Sequence, residues 1–173
     1  MGNNQDNSET KSLIVVIAGV ALLGLLIAFV VKRALDVARQ QALTAESQVI
    51  IQGFSAAVIQ YRNSYGEFPL VPWGEMTRLL QGENLRDQNP SNVVFLAPSR
   101  KDTVSGWAAD SWGTPLSFTI RSNVVRVWSS GPNKKDEKGF GDDVLVEHHV
   151  PNTNVPAELN FRPPFKSPSP APK

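Results

Sequence analysis

The chain has no cysteine, so disulfides and thiolate metal sites are excluded. It has two histidines, and they are adjacent at His148-His149. Neighbours on a strand face opposite sides, so the pair chelates one ion poorly and is read as strand surface. No strong charge of either sign is present: 17 Lys+Arg stand against 16 Asp+Glu, for a net +1. The basic residues are scattered, which gives no electrostatic ground for a nucleic-acid partner. No nucleophile elbow, phosphate-binding glycine loop or zinc helix motif occurs. Adjacent loop carboxylates do not face each other across a cleft as a glycosidase pair does. The chain therefore reads as a non-enzyme with no small-molecule substrate. Proline is also missing from everything before Pro69.

Charge is missing from one stretch altogether. Leu13 to Val31, "LIVVIAGVALLGLLIAFVV", is 19 residues without a charged side chain. A helix of that length spans about 28 Å, close to the roughly 30 Å of a bilayer core. It is read as an uncleaved transmembrane helix, with residues 1–12 as a polar leader. A buried core helix and a cleaved signal are the alternatives; the run is long for a signal's apolar region and is followed by Lys32-Arg33.

No breaker follows Val31. Good helix formers continue, and Ile50, Phe54, Ala57, Val58, Tyr61 and Tyr65 recur at three- and four-residue steps. The spacing predicts one helix from about Ser12 to Ser64, with 32–65 as its amphipathic half and Gly66 as the stop. That stripe is expected to pack on the chain's own domain, residues 66–150. A short helix is expected over Trp73–Leu80, with Met76, Leu79 and Leu80 inward. Val93–Leu96 is either a short strand or a buried loop. Leu116, Phe118 and Ile120 alternate with polar residues as in a half-buried strand. Ser122-Asn123 suits a tight hairpin connection. Val125 and Val127 mark a second strand, and "DVLVEHHV" a third. The expected fold class is α+β: a long amino-terminal helix packed on a small antiparallel sheet of about three strands. Residues 151–173 hold seven of the 13 prolines and are expected to be a disordered, extended tail.

The chain carries three spaced motifs. Tyr61, Gly66 and Pro69 stand in "YRNSYGEFP". Asp110, Trp112, Gly113 and Pro115 stand in "DSWGTP". Ser129, Gly131, Asn133, Asp142 and Asp143 stand in "SSGPNKKDEKGFGDD". Their physical roles are fold-making. Asp110 caps a turn, Gly113 takes an angle other residues resist, Pro115 fixes strand entry, and Trp112 offers an apolar face to the core.

In this order and spacing, over Leu13 to Val150, the chain resembles the G-type major pseudopilins of type II secretion, within the type IV pilin-like superfamily. The resemblance implies a membrane-anchored structural subunit that packs its long helix against identical or related subunits in a secretion pseudopilus. It implies an inner-membrane, single-pass placement with the carboxy-terminal domain outside the cytoplasm. The flanking Lys32, Arg33 and Arg39 argue for the opposite orientation by the positive-inside rule. The family's processing motif has no counterpart: Asn7 stands before the expected cut and Ser12 at the glutamate position. A monomeric bitopic envelope protein that binds partners is the alternative reading.

The resemblance further implies a calcium ion in the Ser129–Val144 loop, held by Asp142 and Asp143, the Asn133 side chain and a main-chain carbonyl near Ser130. Gly131, Gly139 and Gly141 would let the backbone curl around it. Lys134, Lys135 and Lys138 nearly neutralise the loop's acids, so an ion-free, hydrogen-bonded loop stands as the other reading.

Overall fold

A computed structural model of the chain describes the backbone of residues 5–97, 103–104, 106–121, 124–150 and 159–161, and the side chains of 17, 19–97, 106–121 and 124–150. It is an α+β protein with two helices and six strands among the described residues. Contacts divide the chain into two units, Met1–Gln41 and Ala42–Lys173.

The first helix, α1, runs from Gln5 to Tyr65 and crosses the boundary between the units. Its end matches the glycine stop: Gly66 takes φ +81°, and its N–H closes the last turn on the Arg62 carbonyl at 2.7 Å. Its start lies earlier than the expected Ser12, because nothing in Gln5–Lys11 breaks a helix.

The membrane expectation is corrected here. Among the described residues no helix is long and apolar enough to cross a membrane. Beyond Val31 the helix turns charged, with Lys32, Arg33, Asp36 and Arg39. Leu13–Val16 lie outside the residues whose side chains are described. The single-pass inner-membrane localisation is withdrawn on this finding.

In the second unit, α1 lays Ile51, Phe54, Ala57, Val58 and Tyr61 into the core, each at most 2 % exposed. Four of these belong to the stripe expected from the three- and four-residue spacing, while the expected Ile50 and Tyr65 are only half-buried and Ile51 takes the core position beside Phe54. The second helix, α2 (Trp73–Leu80), has the expected bounds and buries Trp73, Met76, Leu79 and Leu80. Its first turn needs no Pro72 donor, which suits a proline in that place. An aromatic cluster fills the space between these elements and the sheet. Trp73 meets Phe118 at 4.5 Å and Phe54 at 5.6 Å between ring centroids, and Phe54 meets Phe118 at 5.7 Å.

The connection after α2 is polar in sequence yet ordered around one residue. Asn89 is fully buried. Its Nδ2 donates to the carbonyls of Leu79 and Val93, and its Oδ1 accepts the Tyr65 hydroxyl at 2.7 Å and the Val93 N–H at 3.0 Å. Val93–Leu96 is neither a strand nor a buried loop: Val93 and Val94 are exposed, and the half-buried Phe95 and Leu96 both donate their N–H to the Leu80 carbonyl at 2.8 Å. Phe95 packs on Tyr61 and Tyr65.

Two short strands, β1 (Thr103–Val104) and β2 (Trp107–Ala108), pair antiparallel as a small hairpin that no pattern in the sequence announces. The main sheet holds β3 (Ser117–Arg121), β4 (Val124–Ser129), β5 (Val144–His149) and β6 (Leu159–Phe161), in the order β5-β4-β3-β6, with every neighbouring pair antiparallel. The three expected strands are β3, β4 and β5. Ser122-Asn123, the expected hairpin connection, lies outside the described residues. So do 151–158 and 162–173. Within the segment expected as a disordered tail, Leu159–Phe161 forms the fourth strand, paired to Ile120–Phe118.

The register sorts the sheet's two faces. Phe118, Ile120, Val125 and Val127 are fully buried on the core face. On the other face the expected alternation fails, because Ser117, Thr119 and Trp128 are buried as well. Ser117 and Leu145 flank Trp128 in the ladder, so the cover over that face is what needs explaining.

Candidate cation-binding loop

Over Trp128 the cover is the loop between β4 and β5, residues 130–143. Trp128, 2 % exposed, donates its indole Nε1–H to Asp136 Oδ1 at 2.8 Å. Further along, the Gly139 backbone lies against the Leu145 side chain. The loop therefore folds back over the outer face of β4 and β5, which accounts for a tryptophan buried there.

Three groups of bonds shape the loop. At its root, Ser129 Oγ accepts the Gly131 N–H at 3.0 Å. Gly131 takes φ +60°, and a Cβ built on it would overlap the Asp142 carbonyl oxygen. Only glycine allows both the angle and that approach. In the middle, Asn133 donates its N–H to Asp142 Oδ2 at 3.1 Å and its amide NH₂ to Asp142 Oδ1. Asn133 Oδ1 in turn accepts the Lys135 N–H at 2.6 Å. At the far side, Asp143 Oδ2 accepts the Glu137 N–H at 3.0 Å and the Gly139 N–H at 2.8 Å. Glu137 Oε2 accepts the Asp142 N–H at 3.3 Å.

These bonds bring three carboxylates together. One oxygen each of Glu137, Asp142 and Asp143 lies within 4.8 Å of the other two. Asp142 and Asp143 were expected in this role. Glu137 was not: it stands five and six positions before them, and the tight backbone at Gly141, φ +65°, is what brings its carboxylate back. The one sequence signal for it was the glycine pair Gly139 and Gly141 between the acids. Asn133 is brought to Asp142 as a donor that orients it, with its own oxygen already taken by Lys135. Ser130, whose carbonyl was a candidate ligand, sits at the loop root and is 1 % exposed. Lys134, Lys135 and Lys138 are all exposed.

Two properties of Asp143 fit a cation. Its Oδ1 is buried and has no hydrogen-bond partner. Its carboxyl is pushed above the usual aspartate range, chiefly by burial, with the charges of Asp136 and Glu137 adding to the rise and the two backbone N–H bonds opposing it. A hard divalent cation among the three carboxylates would reverse both, giving Oδ1 a partner and cancelling the mutual repulsion.

The remaining motif residues are structural. The Tyr61 hydroxyl donates to the Gln88 carbonyl at 2.6 Å, and Pro69 is buried. Asp110 is 3 % exposed; its Oδ1 accepts the N–H of Trp112 at 3.0 Å and of Thr114 at 2.7 Å, so it does cap the turn. Gly113 takes φ +76° within that turn, and Pro115 bridges Ala109 at its exit. Trp112 is a correction: it is half-buried and stands outside the core, which holds Trp73 instead. The register puts His148 opposite Val125 and His149 opposite Val124, on opposite faces, so the two do not share an ion.

No family model matches the chain, and neither does any curated protein or solved structure.

Proposed function

We propose that this chain is a non-enzymatic structural subunit of the pilin-like kind, similar to G-type major pseudopilins, which assembles by packing α1 against the same helix of identical or related subunits. The observation that carries this reading is the surface of α1 in the first unit. Leu22, Leu25, Val20 and Phe29 are 71 %, 70 %, 66 % and 61 % exposed, and Ile17, Leu23, Leu26, Ile27, Val30 and Val31 are at least half exposed. Isolated exposed apolar residues are ordinary, but a contiguous run of large ones marks an interaction surface. Helix against helix covers such a surface with no new backbone donor or acceptor left unpaired.

The element order supports the same reading. A long amino-terminal helix, a short second helix and an antiparallel sheet follow one another, with the acid-ended loop leading into β5. The three motifs serve as the fold's stop, turn and loop root. Within this reading the loop takes a calcium ion, with Glu137, Asp142 and Asp143 as its carboxylates and Asn133 holding Asp142 in place.

The absence of cysteine makes the assembly test clean. Leu26→Cys is introduced into the full chain, with Lys135→Cys on the exposed loop as the control. Under mild oxidation the Leu26 variant is expected to form disulfide-linked dimers at low protein concentration and the Lys135 variant to stay monomeric. A chain that is monomeric by light scattering at every concentration, with no crosslink at position 26, removes the assembly reading. Calorimetric titration with calcium tests the ion. Binding to the folded chain must release or absorb heat or raise the melting temperature, and neither change would leave the ion-free, hydrogen-bonded loop in its place.

A further inference from the structure

The root of the acidic loop is bonded to a separate part of the fold, the 110–114 turn. Ser129, the last residue of β4, is fully buried and uses its hydroxyl in two directions. The O–H donates to Asp110 Oδ2 at 2.5 Å, and the oxygen accepts the Gly131 N–H at 3.0 Å. Asp110 in turn holds the N–H groups of Trp112 and Thr114 on its other oxygen. One buried carboxylate therefore ties the 110–114 turn to the loop root through a single serine. Beyond the root, Gly131 lies directly against the Asp142 carbonyl. The chain of contact runs Asp110, Ser129, Gly131, Asp142, and ends at one of the three converging carboxylates.

We propose that the Asp110–Ser129 pair is a latch that positions the acidic loop. With the pair joined, Gly131 is held where Asp142 can close on it, and Glu137, Asp142 and Asp143 converge. With the pair broken, residues 131–143 open as one local unit, while the pairing of β3 with β4, whose bonds do not pass through the latch, stays closed. Local opening of this kind is expected where a segment hangs on few buried bonds. The inference rests on the geometry of the loop and stands whether or not the chain assembles or takes a cation.

Ser130 provides the internal control. It is the next residue, it is 1 % exposed, and its hydroxyl is buried with no hydrogen-bond partner. Ser129→Ala and Ser130→Ala thus remove the same group from neighbouring buried positions, one bonded twice and one not bonded at all. Asp110→Asn provides the other side: the amide oxygen can still accept from Trp112 and Thr114, but an NH₂ replaces the oxygen that takes the Ser129 proton.

The test is hydrogen–deuterium exchange on the full chain with a chelator present, so that no cation holds the loop. In Ser129→Ala, amides of residues 131–143 are expected to exchange about tenfold faster or more, and those of β3 and β4 to stay within about twofold of the parent. Asp110→Asn, whose NH₂ can still donate to Ser129 Oγ, is expected to raise the same amides by less, and Ser130→Ala to match the parent. If Asp110→Asn fails to fold, the two serine variants decide alone. An unchanged loop in Ser129→Ala, a rise spread evenly over the sheet, or an equal rise in Ser130→Ala overturns the latch.

Discussion

Phe54→Ala tests the core most directly. Phe54 is 1 % exposed on α1 and touches two other aromatic rings, Trp73 at 5.6 Å and Phe118 at 5.7 Å. Truncating a buried phenylalanine costs about 3–5 kcal/mol, and each aromatic pair adds about 0.5–1.5 kcal/mol to ordinary burial. With two pairs lost, the expected cost lies at the upper end, about 4–5 kcal/mol. That is a large part of the roughly 5–15 kcal/mol that holds a domain folded. Phe140→Ala is the matched comparison, because Phe140 is 69 % exposed at the loop tip. Its cost should stay within about 0.5 kcal/mol. Equilibrium urea unfolding, followed by the fluorescence of the four tryptophans, reads both variants. Phe54→Ala should lower the midpoint sharply with an unchanged slope, and Phe140→Ala should overlay the parent. A loss below about 1 kcal/mol for Phe54→Ala, or equal losses for the two, would refute the claim that this ring cluster joins helix to sheet.

Gly131→Ala must place a Cβ on the Asp142 carbonyl at φ +60°, so it should destabilise the chain by about 2 kcal/mol or more and disorder the loop, as read by melting temperature and loop amide exchange. Asp136→Ala leaves the Trp128 indole N–H without its acceptor; a loss of about 1–2 kcal/mol is expected, with a change in tryptophan emission that Trp128→Phe would abolish. Burial pushes the Tyr61 phenol up to about 12 from an ordinary 10.0, with Tyr65 and Glu67 nearby adding to the rise. The neutral phenol is the one that donates to the Gln88 carbonyl, so its stabilisation is complete below the unfolded pKa and is lost as pH rises through 10.0 towards about 12. Tyr61→Phe should flatten that alkaline loss of stability relative to the parent, and an unchanged alkaline profile would count against it.

The helical parts were the most legible because their signal is local and repeated. The stripe from Phe54 to Tyr61, the bounds of α2 and the Gly66 stop each follow from spacing or from one residue's backbone freedom. Strand β3 was half legible. Leu116, Phe118 and Ile120 face the core as their alternation implies, but Ser117 and Thr119 are buried too, and nothing in their polarity announces it. The candidate site divided in the same way. Adjacent Asp142-Asp143 is visible as a pair, whereas Glu137 joins them only because the backbone reverses at Gly141, and Asn133 turns out to hold Asp142 through its donors.

The sequence by itself determined the α+β class, the long helix with its buried stripe, and the positions where glycine and proline stop or turn the chain. Those are properties of a few neighbouring residues, so neighbouring residues suffice to read them. Tertiary structure alone decided that Leu159–Phe161 adds a fourth strand, that Trp128 is roofed by a charged loop, and that a buried aspartate reaches that loop through Ser129. Each of these joins residues distant in sequence, and such a pairing is chosen by which surfaces and which donors and acceptors meet when the chain closes, a choice no local pattern records.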